Sequence, residues 1–233
     1  MATQQEFPLP PVALRDCGEY CRDDLDWINT GNRDFETVAS WGITQETSIL
    51  EVGCGAGRFA RALRAHHGDD VQYHGIDVFD EAIKWCREHF PPAYKFSRVD
   101  MHNDRFNPTG KPPDQDAYSQ LQDHSFDVAY AYAVFLHMIQ DDIKWYLDLF
   151  RRVVKPEGWA FVTAHVECDV PARSINPDRY PEHWQRSKRD ALHAVRYNWD
   201  YFTTLLANHG WRIAGVTRES WRKQTGLFLR KIA

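Results

Sequence analysis

The sequence ILEVGCGAGR, residues 49–58, decides the fold of this chain. Its first four residues are mostly apolar and indicate a short buried strand that ends near Glu51. Glycines follow at positions 53, 55 and 57. Because glycine has no Cβ, three at alternate positions let the chain turn sharply and let a ligand approach bare backbone. The pattern predicts a strand, a tight ligand-binding turn and then a helix.

Apolar runs alternate with helical periodicity on both sides of this turn, which predicts an α/β fold with a mostly parallel, doubly wound sheet and helices on both faces. Further strands are expected at residues 71–77, 94–100, 126–134 and 159–166, and helices at 56–67, 80–90, 141–154 and around 199–206. The runs at 211–219 and 225–233 are joined by too few residues for a crossover helix. We therefore expect an antiparallel pair at the C-terminal end.

Composition narrows the class of protein. The 233 residues are 43% hydrophobic and 26% charged, which is typical of one globular domain. The net charge of −5 argues against a nucleic-acid partner, and no apolar run approaches the roughly 20 residues of a membrane helix. Five irregularly spaced cysteines indicate reduced thiols. These features predict a cytoplasmic protein without a membrane partner and leave a homodimer open.

Two nucleotide-binding motifs are excluded by the glycine spacing. The dinucleotide fingerprint GxGxxG would place its third glycine at position 58, which is Arg58. No GxxxxGK[ST] sequence is present, which excludes a P-loop nucleotidase.

The stretch EVGCGAG, residues 51–57, matches the (D/E)xGxGxG pattern at every fixed position, and in this the sequence resembles the class I S-adenosylmethionine-dependent methyltransferase family. The resemblance covers about residues 48–166 and the C-terminal hairpin. It implies a Rossmann-like sheet of seven strands with a reversed C-terminal strand, and S-adenosyl-L-methionine as cofactor.

Several residues are candidates for holding that cofactor. A carboxylate at Glu51 would lie near the ammonium and sulfonium groups, and Asp77, at the end of the second strand, would accept hydrogen bonds from the ribose hydroxyls. By resemblance, Asp100 binds the adenine amino group. The full set is Glu51, Gly53, Gly55, Gly57, Asp77, Val78 or Phe79, Asp100, Met101, Tyr132 and Ala133. Asp77 could instead cap the next helix, and Asp100 could be an ordinary loop carboxylate.

Three residues are candidates for acid–base chemistry at the acceptor. His137 follows the fourth strand, and an imidazole with an ordinary pKa of about 6.5 suits proton abstraction at neutral pH. His165 is the second candidate, and Glu167 could orient it. The alternatives are a structural histidine in a turn for His137 and an exposed strand-end pair for the other two.

Metal binding is a weaker expectation. The pairs Asp141/Asp142 and Glu167/Asp169 could hold a divalent cation such as Mg²⁺. Asp141 and Asp142 are more simply explained as negative charge at a helix N-terminus. Magnesium is therefore not expected.

We expect residues 1–46 to form a helical lid, with two helix-like stretches around residues 23–30 and 34–41. The lid would lie on a methyltransferase domain at 47–233, which carries an acceptor-side insertion at about 167–196. Aromatic and basic residues could bind a sugar or an aromatic acceptor by stacking and charge. The acceptor candidates are Trp27, Arg173, Tyr180, Trp184 and Tyr197. The alternatives are lid packing for Trp27, and core aromatics and a solvated helix face for the others.

The candidate base His137, the His165/Glu167 pair and the aromatic insertion predict O-methylation of a small hydroxylated or carbohydrate-like acceptor. This chemistry is typical of carbohydrate or natural-product modification. Residues 131–134 are AYAV, not the (N/D)PP(Y/F) tetrapeptide of enzymes that methylate amino groups of nucleobases or glutamine. The alternatives are a small-molecule N-methyltransferase, an enzyme on RNA, and a methyltransferase-like binding module without turnover.

Overall fold

The computed structural model describes residues 7–15, 19–112, 118–177, 192, 194–219 and 224–232. The helices in this part of the chain are α1 (Asp24–Ala39), α2 (Arg58–His67), α3 (Asp80–His89), α4 (Gln140–Val153) and α5 (Trp199–Asn208). The strands are β1 (Ile49–Val52), β2 (Tyr73–Asp77), β3 (Tyr94–Arg98), β4 (Phe126–Ala131), β5 (Val154–Glu167), β6 (Arg173–Ile175), β7 (Val195–Asn198), β8 (Trp211–Glu219) and β9 (Gln224–Lys231).

The chain divides into two compact units. The first comprises residues 1–46 and 54–98, and the second comprises residues 47–53 and 99–233. In the first unit, β2 and β3 pair in parallel from Tyr73 opposite Tyr94 to Asp77 opposite Arg98. Helix α3 packs on both strands, and α1 packs on α2.

Helix α1 is one continuous helix, not the two stretches around residues 23–30 and 34–41 that periodicity suggests. Its first turn is capped by the Asp23 side chain, which accepts a hydrogen bond from the Asp26 amide at 3.0 Å. Gly31 lies so close to α2 that a Cβ would come within 2.7 Å of the Arg58 carbonyl oxygen. The glycine therefore permits close helix packing without interrupting α1. Buried Asp34 forms an ion pair with Arg58 beside this contact.

The second unit holds most of the sheet. Strand β1 pairs in parallel with β4, and β4 pairs in parallel with β5. On β5, Phe161 lies opposite Phe228 of antiparallel β9, and β8 pairs antiparallel with β9. The mixed α/β fold, with a mostly parallel sheet and a reversed C-terminal pair, is confirmed.

Two short strands are present in addition to the expected set. Strands β6 and β7 belong to the segment at about residues 167–198 and pair antiparallel with each other. Strand β7 also pairs in parallel with the end of β5, where His165 lies opposite Arg196. The segment is therefore anchored to the sheet at both of its ends.

The cysteine prediction is wrong at one position. Cys21 is disulfide-bonded, whereas Cys54, Cys86 and Cys168 are not part of a disulfide. Spacing could not reveal this, because a disulfide requires two Cα atoms within about 7 Å, and the chain path sets that distance. Among the described residues, none of the helices combines the length and apolar character needed to cross a bilayer.

Candidate functional site

In the first unit, the Asp77 carboxylate clamps the glycine turn. The Gly55 amide donates a hydrogen bond to Asp77 Oδ2 at 2.7 Å, and the Phe79 amide donates to Asp77 Oδ1 at 2.9 Å. Helix α3 begins after Phe79 and has no side-chain cap. Asp77 therefore does not cap α3 and instead holds the turn from the end of β2.

The glycines of this turn meet different requirements. Gly57 has φ 77° and precedes α2, and a Cβ there would come within 2.8 Å of the Phe90 ring. A Cβ at Gly55 would meet no atom within 4 Å. Gly57 is therefore fixed by packing, whereas Gly55 presents bare backbone to open space.

In the second unit, Gly53 follows β1 at φ 76°, and a Cβ there would lie 2.4 Å from Val134 Cγ2. Glu51, two residues earlier, is buried in β1 opposite Tyr130 of β4. The end of β1 is thus packed directly against the turn that follows β4.

The turn after β4 has a strained backbone. Ala133 has φ 56°, a conformation that residues with a Cβ rarely adopt. Its amide donates to Thr163 Oγ1 at 2.7 Å, and the Thr163 hydroxyl donates to Gln224 Oε1 at 2.7 Å. The preceding Tyr132 is buried, and its ring is stacked with Tyr130 at 6.3 Å. A buried relay from β5 and β9 therefore supports this turn.

The segment after β3 forms a closed loop. Asp100 is exposed and Met101 is buried. The Asn107 side-chain amide donates to Asp100 Oδ1 at 3.2 Å and to the Met101 carbonyl at 2.9 Å. The Lys111 amide donates to the Asp100 carbonyl at 3.0 Å. Both predicted adenine-binding residues therefore lie in a cross-linked loop.

His137 lies in a short 3₁₀ helix, Phe135–His137, and is half-buried. Its backbone carbonyl accepts a hydrogen bond from Asn103 Nδ2 at 3.2 Å. Its ring lies edge to face with Phe106 at 5.3 Å between centroids. The candidate base is thus held by the loop that follows β3.

His165 and Glu167 both lie on β5. His165 is 6% exposed, so the description as an exposed strand-end pair does not fit it. Glu167 is half-buried and lies 3.8 Å from Arg196 in an ion pair.

The acceptor candidates differ in burial and in the contacts that they make. Trp27 is 2% exposed, with the Arg15 guanidinium 5.5 Å above its ring. Tyr197 is buried, its hydroxyl donates to the Met138 carbonyl at 2.9 Å, and burial raises the pKa of that hydroxyl. Arg173 is exposed on β6. The remaining two candidates, Tyr180 and Trp184, lie outside the described residues.

The comparison with protein families covers the glycine stretch and the strands and helices that follow it. Residues 50–160 match a family model described as a methyltransferase domain. These residues therefore match a methyltransferase domain, as the glycine pattern predicts. The turn at Gly53, Gly55 and Gly57 and the strand ends at Asp77 and Tyr132 all lie inside the matched region.

Curated relatives are similar to this chain at low sequence identity. The 2-methyl-6-phytyl-1,4-hydroquinone methyltransferase of Synechocystis sp. is 28% identical over 154 residues, which are 64% of this chain and 39% of that protein. The chain spans 39% or less of the length of the first curated relatives that it matches.

Solved structures share the fold. An S-adenosylmethionine-dependent methyltransferase from Mesorhizobium loti has a TM-score of 0.58 at 15% identity, over 84% of this chain and 96% of that one. The [4+2]-cyclase SpnF has a TM-score of 0.58 at 19% identity, over 87% and 81%.

Metal-ligating side chains do not converge in the described part of the chain. No group of three or more His, Cys, Asp or Glu side chains there could hold a metal ion. Asp141 forms an ion pair with Lys144 at 2.9 Å. Burial raises the pKa of Asp142, and a hydrogen bond with the Ile139 backbone partly offsets this rise. Both carboxylates lie in the first turn of α4, as expected for helix N-terminal charge.

Sequence reasoning missed four residues that support these turns: Asn103, Asn107, Thr163 and Gln224. For Asn103 and Asn107 a signal was present, because asparagines in a polar loop often bond to backbone amides nearby. Thr163 is a polar residue in an otherwise apolar run, WAFVTAHV, and such a residue needs a partner when buried.

Proposed function

We propose that this methyltransferase domain transfers a methyl group from S-adenosyl-L-methionine to a small hydroxylated acceptor, with His137 as general base. The cofactor part is supported by one observation above the others. The Gly55 amide is clamped by Asp77, and a Cβ at Gly55 would point into open space. A side-chain-free cradle beside a carboxylate suits an adenosyl group with two ribose hydroxyls.

The cofactor supplies an electrophilic methyl group on a sulfonium. Asp77 would bind the ribose, with the hydroxyls donating to its carboxylate beside or in place of the two amides. Gly55 would give close backbone approach within the turn that Gly53 and Gly57 shape, and Glu51 would offset positive charge on the methionine part. Asp100 and Met101 would bind the adenine, Val78 would pack on it, and Tyr132 would line the methionine part.

The chain's own contribution to the chemistry would be positioning and proton removal. His137 would accept the hydroxyl proton of the acceptor, whose oxygen would take the methyl group that the cofactor supplies as the sulfonium becomes a thioether. Holding oxygen, carbon and sulfur in line supplies much of the acceleration. A general base typically adds a further 10²–10⁴-fold for an alcohol.

His165 with Glu167 is the second candidate for the base. The remaining parts of the proposal concern the acceptor and the segments that would surround it. We further propose a carbohydrate-like acceptor, a helical lid at residues 1–46 and an acceptor-side insertion at about 167–196. Arg173 is exposed and could reach an acceptor directly, whereas buried Trp27 and Tyr197 would act by shaping the surface around it.

The first experiment is a titration with S-adenosylhomocysteine by calorimetry, followed by methyl transfer to a panel of sugars, phenols, alcohols and amines. We expect micromolar binding and transfer to a hydroxylated acceptor. His137→Gln should lower kcat about a hundredfold or more at unchanged cofactor affinity. The control is His209→Gln, at a histidine that pairs with Asp148 after α5.

Other outcomes would replace parts of the proposal. Transfer to an amine with a fully active His137→Gln variant would indicate an N-methyltransferase. Binding of S-adenosylhomocysteine without turnover on any acceptor would indicate a binding module. A steep salt dependence of RNA binding would indicate a nucleic-acid acceptor.

A further inference from the structure

We propose that the loop at residues 100–111 is a bracket that links the adenine side of the cofactor site to the candidate base His137, and that Asn103 is its positioning residue. This inference rests on the proposed function, because it assigns a role to the same site. All of the residues that carry it lie in the second unit of the chain.

Asn103 uses both ends of its side-chain amide. Its Oδ1 accepts hydrogen bonds from the amides of Arg105 and Phe106 at 3.1 and 3.0 Å, which closes a tight turn. Its Nδ2 donates to the His137 carbonyl at 3.2 Å, across 34 positions of the sequence. One side chain therefore shapes the turn and attaches it to the 3₁₀ helix of the candidate base.

A second contact from the same turn reaches the His137 ring. Phe106 is 38% exposed, yet its ring lies 5.3 Å from the His137 ring at an interplanar angle of 72°. Edge-to-face geometry of this kind is favourable for aromatic pairs. Asn103 therefore fixes the backbone of His137 directly and its ring through Phe106.

The other end of the bracket holds the predicted adenine-binding residues. Asn103 and Asn107 exchange two backbone hydrogen bonds, at 3.1 and 2.9 Å. The buried Asn107 side chain then bonds to Asp100 Oδ1 and the Met101 carbonyl. A Cβ at Gly110 would lie 2.3 Å from Asn107 Nδ2, so the loop has no room to collapse further.

These contacts form a continuous hydrogen-bonded path from Asp100 through Asn107 and Asn103 to His137. A ligand that binds to the Asp100 carboxylate would weaken or move the hydrogen bond that Asn107 Nδ2 donates to it. Because the loop is cross-linked along its length, that change is expected to reach His137.

The test follows His137 directly by NMR in protein with labelled histidine. The carbon and proton signals of its imidazole ring are recorded during a titration with S-adenosylhomocysteine. In the unmodified chain, we expect the His137 signals to shift in step with binding. Assignment comes from the His137→Gln spectrum. This titration needs no variant of Asn103, so the coupling is testable even if such a variant folds poorly.

Two variants then separate the roles of Asn103. Asn103→Asp and Asn103→Ser both keep an oxygen acceptor for the turn amides, but neither can donate from an amide to the His137 carbonyl. The aspartate adds charge and the serine does not, so an effect common to both reports the lost link. We expect each to abolish most of the His137 response and to lower kcat about three- to tenfold, with the KM for the cofactor nearly unchanged.

The matched control is Asn208→Ser, an exposed asparagine at the end of α5, which should retain the full response. If S-adenosylhomocysteine binds but the His137 signals do not move, or if both Asn103 variants respond as the unmodified chain does, the bracket is refuted while the cofactor assignment stands. If S-adenosylhomocysteine does not bind at all, the proposed function and the bracket fall together.

Discussion

The Gly55 amide donates a hydrogen bond of 2.7 Å to the Asp77 carboxylate, and this contact joins the glycine turn to the end of β2. It connects residues 22 positions apart. The same carboxylate accepts from the Phe79 amide, so it orders the backbone on both sides of the strand end. A ligand that bonds to Asp77 therefore acts on the geometry of the turn as well as on one side chain.

Asp77→Asn is expected to weaken S-adenosylhomocysteine binding at least about tenfold. An asparagine has only one side-chain oxygen, so its NH₂ group would face one of the two backbone amides that now donate to Asp77. Hydrogen bonds to a charged group contribute roughly 1.5–3 kcal/mol, and 1.4 kcal/mol is tenfold in affinity. Calorimetric titration measures this.

The control for that measurement is Asp80→Asn, three positions along the chain. Asp80 forms an exposed ion pair with Lys84, so its loss should leave the affinity nearly unchanged. Equal affinities of the Asp77 variant and the unmodified chain would remove Asp77 from the cofactor site.

Gly53→Ala is expected to destabilise the second unit by about 2–4 kcal/mol in urea unfolding. The new Cβ would lie 2.4 Å from Val134 Cγ2, and φ of 76° adds backbone strain. Gly42→Ala is the comparison, since Gly42 has φ 91° but open space around its Cβ position. The Gly42→Ala variant should therefore show the loss of stability that backbone strain causes without a steric clash.

Val134→Ala in the Gly53→Ala background should recover part of the lost stability, because it removes the methyl group that the new Cβ would meet. If the double variant is less stable than Gly53→Ala by the full cost of truncating Val134, then the steric explanation is wrong.

Thr163→Val is expected to lower the free energy of unfolding by about 1–3 kcal/mol. The valine keeps the volume but removes the acceptor for the Ala133 amide and the donor to Gln224, both in buried surroundings. Thr163→Ser keeps the hydroxyl and should lose less. A valine variant as stable as the serine variant would show that the relay does not support the turn.

Acid should destabilise the first unit partly through His74. Burial, with smaller contributions from the Lys95 and Arg87 charges, lowers the pKa of His74 to about 4. An unfolded histidine titrates near pH 6.5, so between these values the unfolded state binds more protons. Stability is therefore complete above about pH 6.5 and falls as the pH drops toward 4.

His74→Gln should flatten that acid limb by up to about 3 kcal/mol, measured by urea unfolding at a series of pH values. Ser97→Ala is the control, since it removes the side chain 2.9 Å from His74 Nε2 but keeps the histidine. An unchanged slope in His74→Gln would assign the acid sensitivity to other groups.

The glycine turn and Asp77 were predictable because their signals are local. A positive φ at Gly53, Gly55 and Gly57 requires residues without a Cβ, and the acid at a strand end is readable from the pattern. The antiparallel pair of β8 and β9 followed from the short connection between two apolar runs. In each case, the signal lies within one short stretch of the sequence.

Periodicity was less informative where packing decides the outcome. The two helix-like stretches around residues 23–30 and 34–41 form one helix, α1, in which Gly31 packs closely against Arg58. The short strands β6 and β7 exist because the end of β5 offers a partner. Neither effect is encoded in the local pattern.

The sequence by itself determined the strand–turn–helix unit at the glycine turn, the mostly parallel sheet and the reversed C-terminal pair. Only the tertiary structure decided that Asn103 holds His137, that Thr163 supports Ala133 and that Trp27 and Tyr197 are buried. The physical reason is that hydrogen bonds between residues 30 or more positions apart depend on strand register and loop path, which no short stretch of sequence specifies.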